Sequence, residues 1–273
     1  LAVFAGSFPL SGVEAVAAPA DVAVLDVLDS LVEQSLVVPS VDSGRYRLLE
    51  TVRLYALDQL MKAEQLAEAR DRHLAWMVGL FGQERLNSSA LGEVWELDEQ
   101  KAVEVDNATA AMEWAEQTGE QDALLDLFIG GITIWASIGS VAVSWLDRIP
   151  KPPTNRPELR IDWLTTEGHI RYGTGDHAGC FEQQFEAATM LDELMAADLP
   201  FTALPIALLY RSLFMAVSGD NEAALRDCDR LLELQIDGEV RLSEWASLQA
   251  RSNALEQRGD PDALTVNMEA AEV

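Results

Sequence analysis

The chain has 273 residues, long enough for two domains or for one small domain followed by a repeat array. Apolar residues make up 49%, with 17 glycines and 10 prolines, which excludes a disordered or low-complexity chain. Nineteen basic residues stand against 46 acidic ones, a net charge of −27 that repels phosphate backbones and favours neutral or basic partners.

The charge is uneven. Up to Lys62 there are 4 basic and 8 acidic residues, and beyond it 15 and 38. Leu1-Ala2-Val3-Phe4 carries neither an initiator Met nor a charged leader, so the sequence reads as a piece of a longer polypeptide. Two cysteines, Cys180 and Cys228, form no disulfide framework and fit a reducing cytoplasm.

In chain order, Gly12 to Ala18 is a short helix candidate with Ser11 as its N-cap. Val24, Leu25, Leu28, Leu31, Val32 and Leu36 then recur at helical spacing, with Asp21 a candidate cap and Asp26, Asp29 and Glu33 outside. Leu36-Val37-Val38 and Arg45-Tyr46-Arg47-Leu48 flank the turn residues Asp42-Ser43-Gly44, which predicts a β-hairpin. Glu50-Thr51 opens another helix with Leu49, Val52, Ala56 and Leu60 along one face.

Helix, helix, hairpin, helix is the order of a winged helix spanning residues 1–62. Such a domain places its second helix in the DNA major groove. Here that helix, Val24 to Ser35, has no Lys or Arg, and only Arg45, Arg47 and Arg53 are basic nearby. A domain that packs against protein is the reading these charges favour over nucleic-acid binding.

Leu1 to Phe8, LDSLVEQSLVV over Leu28 to Val38, and RYRLLETVRLYA over Arg45 to Ala56 carry a resemblance. They are similar to the winged-helix region that follows the nucleotide-binding domain in LuxR-type and AfsR-like bacterial regulators of the STAND ATPase class. The likeness continues more loosely through Arg72-His73, Asp106-Asn107-Ala108 and Trp114-Ala115. It implies an ATP-dependent switch upstream, a sensor of helical repeats downstream and, in many members, a DNA-binding output domain; some members carry a nucleotide-cyclase domain. No G-x-x-x-x-G-K-[ST] phosphate loop occurs in this sequence. Relatives have a Met-His-Asp motif whose histidine contacts a nucleotide phosphate. The matching positions are Leu48, Leu49 and Glu50, and leucine offers a phosphate no hydrogen bond, so the sequence departs from the pattern there. No cofactor is expected in this segment.

Beyond Lys62 the chain reads as helix after helix. Residues 63–149 are expected to form a helical region: Ala63 to Phe81, a break at Asn87-Ser88-Ser89, Val94 to Gln117 ending at Thr118-Gly119, then Glu120 to Leu146. Leu127 to Leu146 holds 20 uncharged residues, near the length of a membrane span. Three glycines, four hydroxyl residues and no flanking cationic cluster favour two buried helices meeting at Gly139-Ser140 instead. Pro150, Pro152, Pro153 and Pro157 mark a linker.

From 156 to 273 a repeat appears. Gly175-Asp176, Gly219-Asp220 and Gly259-Asp260 each separate two helical segments, glycine ending one helix and aspartate capping the next. Ala178, Ala224 and Ala263 follow as small residues for close helix approach. Phe181, Phe185, Ala188, Leu191 and Met195 form one apolar face, and Ala224, Cys228, Leu231 and Gln235 another. The pattern resembles degenerate tetratricopeptide repeats, whose stacked hairpins leave a concave groove; a plain helical bundle without a groove is the alternative.

The expected fold class is therefore mostly α: a winged helix with a small β-hairpin, then a tetratricopeptide-like solenoid. The expected role is regulatory and non-catalytic, with protein partners or neighbouring domains of the same chain. A small-molecule inducer site in the repeats is the second possibility. Neither nucleic-acid nor membrane binding is expected. Interaction candidates are Arg45, Arg47, Arg53, Trp163, Tyr210 and Trp245. His169, His177 and Cys180 lie at helical spacing but lack the paired spacing of a zinc site, and ordinary surface and core roles fit them better. Tryptophans 95, 114, 135, 145, 163 and 245 fall in helical segments, where core filling and groove lining both suit them.

Overall fold

The computed structural model describes residues 1–17, 23–40, 43–86, 102–197, 204–236 and 244–272. The protein is mostly helical, with a winged-helix N-terminus and one two-stranded sheet among the described residues. It divides into two compact units. The first is drawn from Leu1–Gly82 and Glu99–Phe128, the second chiefly from Ile129–Val273.

Helix α1 (Leu10–Ala17) starts two residues earlier than its sequence signal. The Pro9 carbonyl accepts from the Gly12 and Val13 amides, so Ser11 lies inside the first turn and is no cap. Helix α2 (Val24–Glu33) follows; its N-cap is Ala23, without a side-chain cap, and Asp21 lies outside the described residues. The chain leaves α2 through Ser35 at φ 58°, and the Leu36 amide reaches back to the Leu31 carbonyl at 2.9 Å. This is a Schellman closure made without glycine.

Strand β1 (Val37–Ser40) begins one residue later than the sequence suggests and pairs antiparallel with β2 (Arg45–Leu48), Val37 opposite Leu48 and Pro39 opposite Tyr46. The Tyr46 amide and carbonyl both bond to Phe8 at 2.8 Å on the other side. The Pro39–Tyr46 pair is thus the kind that exchanges no backbone bonds, and the missing proline N–H costs the ladder nothing. Phe4, Phe8, Val13, Val16, Leu28 and Val37 form the core of this domain.

Helix α3 (Glu50–Lys62) ends at a second non-glycine closure, Glu64 at φ 58°, with the Gln65 amide on the Leu60 carbonyl at 2.9 Å. The helix expected from Ala63 therefore begins after this turn, as α4 (Leu66–Leu86). The expected break at Asn87 to Ser89 and the start of the next helix at Val94 lie outside the described residues. Helix α5 (Val105–Thr118) ends at Gly119, φ 78°, where the sequence places its stop.

The apolar stretch after Leu127 is split further than expected. Helix α6 (Gln121–Gly130), α7 (Ile132–Ser137) and α8 (Ser140–Leu146) are separated at Gly131 as well as at Gly139. No described helix is long and apolar enough to cross a membrane. Trp135 and Trp145 are fully buried. Pro157 is the first residue of α9 (Pro157–Gly173), where its missing amide is not needed, so the proline cluster runs into a helix.

Three helical hairpins follow: α9 with α10 (His177–Ala196), α11 (Leu204–Ser218) with α12 (Asn221–Ile236), and α13 (Glu244–Gln257) with α14 (Ala263–Glu272). At the corners Gly175, Gly219 and Gly259 have φ of 84°, 90° and 67°. Asp176 accepts from the Gly179 amide at 3.0 Å and Asp220 from the Ala223 amide at 3.1 Å. Asp260 makes a tighter turn, onto the Asp262 amide at 3.1 Å. Of the three alanines expected at close helix contacts only Ala224 is buried. Phe185 and Met195 are also exposed, because α10 turns Gln183, Gln184 and Ala187 inward beside Ala188 and Leu191.

Candidate functional site

The exposed side of α2 carries Leu25, Asp26, Val27, Asp29, Ser30 and Glu33, and no cation. Of the three arginines near it, Arg45 is turned inward. Its Nε donates to Ser7 Oγ at 2.8 Å, and its Nη2 donates to the Ser7 carbonyl at 2.8 Å and lies 2.6 Å from Glu104 Oε1. Arg53 is held by both oxygens of Glu50, at 2.9 and 2.8 Å. That pairing holds the Glu50 carboxyl below the usual carboxylate range. Arg47 alone of the three stands exposed in the strand, and Leu49 is exposed at the N-cap of α3.

Beneath the hairpin lies a polar hub that sequence reasoning did not isolate. Asn107, on α5 and fully buried, accepts from the Ala5 and Gly6 amides at 2.9 and 3.1 Å. Its amide nitrogen donates to the Ser7 carbonyl at 2.8 Å and to Glu104 Oε2 at 2.6 Å. Glu104 is 2% exposed and is neutralised there by Arg45. Each buried polar atom of the side chain is satisfied, which lets a charged pair sit inside the domain. The first unit therefore extends beyond the winged helix to include α5.

Two concavities open on this unit. An apolar groove of about 760 Å³ runs along α3, lined by Leu31, Leu36, Leu48, Val52, Ala56 and Leu60. Helix α3 has no fully buried residue, and Leu54, Tyr55 and Met61 are more than half exposed. The smaller one, about 260 Å³, contains Arg53, Arg70, His73 and Trp114. Arg70 lies over the Trp114 ring at 5.0 Å, and the Trp114 indole N–H donates to Asp71 at 2.8 Å.

His73 is 2% exposed, edge-on to Phe4, and its Nε2 has no hydrogen-bond partner among the described residues. Burial pushes its pKa down to about 4. The unfolded chain, near 6.5, takes up the proton first as pH falls. Stability present above pH 6.5 is therefore lost between 6.5 and 4, by about 3 kcal/mol for this one group. Urea titrations of the wild type and of His73→Gln at pH 7 and pH 4.5 should show a smaller acid loss in the variant.

In the second unit Arg211 is the central charge. It is 8% exposed and grips Asp227 through two bonds of 2.7 and 2.6 Å, with Asp192 at 2.6 Å. Burial outweighs the Arg211 bonds at Asp227 and raises that carboxyl's pKa. Trp163 is 3% exposed with Lys151 5.4 Å from its ring centre, a core position and no open surface. Tyr210 meets His169 edge-on at 5.3 Å and helps line a cavity of about 180 Å³ between α9, α10 and α11. The Trp245 side chain lies outside the described residues. His177 stacks edge-on against Tyr172, Cys180 is buried, and no metal-binding cluster of three ligands occurs among the described residues.

Residues 1–61 match the winged helix-turn-helix domain family. Proteins named as HTH-type transcriptional regulators, one from Mycobacterium bovis and two from strains of Mycobacterium tuberculosis, are each 37% identical over 156 residues. The match covers 55% of this chain but 17% of each relative, so the chain spans a small part of their length. No solved structure matches. Residues 1–61 thus form a winged helix-turn-helix domain.

Proposed function

We propose that this chain is a non-catalytic regulatory segment of a transcriptional regulator of the STAND ATPase, LuxR-type class, acting in the cytoplasm, in which the winged helix binds protein and the hairpins form a tetratricopeptide-like sensor. One observation carries the reading: the helix that would enter a DNA groove exposes Asp26, Asp29 and Glu33 between Leu25 and Val27, while an apolar groove lies open along α3. Acidic and apolar side chains together suit a protein surface and repel phosphates. A neighbouring domain of the parent protein is the proposed occupant of the groove, with no cofactor held by this segment.

The test is fluorescence anisotropy with a random 30-base-pair duplex. Association in 100 mM salt should be weaker than about 10⁻⁴ M, the weak end of ordinary non-specific binding. Tight, salt-sensitive association would sink the reading. Capture of partners by the whole chain and by residues 1–155 should differ, and identical partner sets would count against a role for the hairpins.

A second reading, that the hairpins sense a small molecule, is favoured by the aromatic-lined cavity between the first two hairpins.

A further inference from the structure

We infer that the cavity between α9, α10 and α11 binds a small neutral aromatic compound of one or two rings with a single hydrogen-bonding group, of the phenol or indole class. This rests on the sensor reading and gives it a ligand chemistry.

Size comes first. A cavity of about 180 Å³ slightly exceeds the roughly 150 Å³ that accepts benzene in an engineered protein core. The walls come next. His169 and Tyr172 come from α9, Phe181 and Gln184 from α10, and Tyr210 and Phe214 from α11. Their rings meet steeply, His169 to Tyr210 at 73° and Phe181 to Phe214 at 53° with centroids 5.4 Å apart. Such edges and faces suit a planar guest. At the mouth Tyr172 and Val217 are 53% and 57% exposed, and Phe185, 51% exposed, sits edge-on to Phe214 at 5.1 Å. This is apolar surface left uncovered by the packing of the hairpins.

Charge decides the class. In a protein with 46 acidic residues, none of the lining side chains is Asp, Glu, Lys or Arg. A carboxylate, phosphate or ammonium guest would lose its water and find no counter-charge. A sugar would present more hydroxyls than the wall could pair. Of the polar groups in the wall, which also include the Tyr172 and Tyr210 hydroxyls, His169 and Gln184 offer acceptors for one guest O–H or N–H. His169 is kept neutral by burial, which lowers its pKa, so a ring nitrogen can accept. The Gln184 amide nitrogen donates to the Thr165 carbonyl at 3.3 Å, which fixes the side chain and leaves its carbonyl oxygen as an acceptor. Gly168 permits this approach, since a Cβ there would lie 2.6 Å from Gln184 Nε2.

The test is isothermal titration of the full 273-residue chain with indole and phenol, beside benzoate, cyclohexanol and glucose. Indole and phenol should give saturable heat, with benzoate and cyclohexanol at least about tenfold weaker. Val217→Trp, which adds a ring at the exposed mouth, and Phe214→Leu should each weaken indole binding by about tenfold. Circular dichroism checks that both fold, and the first variant alters a surface position. Equal binding of benzoate and phenol, or indole binding untouched by both variants, would overturn the assignment. Binding of glucose or benzoate alone would overturn the ligand class and leave the sensor reading standing. No heat from any of the five would remove both.

Discussion

Asn107→Ala is expected to lower the stability of the first unit by about 2–4 kcal/mol, since a stranded buried polar group costs about 1–3 kcal/mol and the Ala5 and Gly6 amides it leaves are part-buried. The Ala5 and Gly6 amides lose their acceptor together, and Glu104 loses a donor while keeping Arg45. Asn107→Asp keeps the acceptor but sets a second carboxylate beside Glu104, so it should rescue little at pH 7. Urea unfolding followed by hydrogen exchange of the α1, α2 and β2 amides reads the effect directly. A loss below about 1 kcal/mol, the net worth of one ordinary hydrogen bond, would show that the hub is dispensable.

Arg211→Met should cost the second unit about 3–5 kcal/mol at pH 7, because it leaves Asp227 buried without its cation. The pH dependence identifies the cause. In the variant the folded Asp227 has a pKa further above its unfolded value, so the folded state holds the extra proton. Stability then falls as pH rises through that raised pKa, and the deficit shrinks at pH 5. The double change Arg211→Met with Asp227→Leu should recover most of the loss, since an apolar pair of similar volume often replaces a buried ion pair without penalty. Urea midpoints at pH 5 and 7.5 for the three variants check all of this. A deficit that does not vary with pH would mean that packing, and not the stranded carboxylate, is responsible.

Periodicity and turn chemistry made much of the fold legible. The β2 strand, the start of α3 and the stop at Gly119 carry local signals, and glycine followed by aspartate marked all three corners: positive φ holds at each, and the aspartate caps the next helix at the first two, while Asp260 closes a turn before α14. What failed had non-local or atypical causes. The turn at Glu64 uses a charged residue in the left-handed region, so no glycine announced the end of α3. Gly131 broke a stretch whose composition suggested continuity. On the site, the lack of cations on α2 could be read from the string, but Arg45 could not be told apart from a surface arginine. Its partners, Ser7 and Glu104, lie 38 and 59 positions away, and no pattern along the chain records such a pairing. The Asp106-Asn107-Ala108 stretch stood out by resemblance alone, and the hub supplies its physical reason. Tyr210 stood out as one ring, whereas the cavity it lines needs three helices.

The Asn107 hub also bears on synthesis of the protein. Ala5, Gly6 and Ser7 meet Asn107 only on a helix made a hundred positions later. At about 5–20 residues per second, a ribosome needs seconds more after finishing Lys62 before that helix exists. Until then the nascent winged helix waits with these three residues unfastened from Asn107, and a product cut at residue 62 would keep that waiting state permanently.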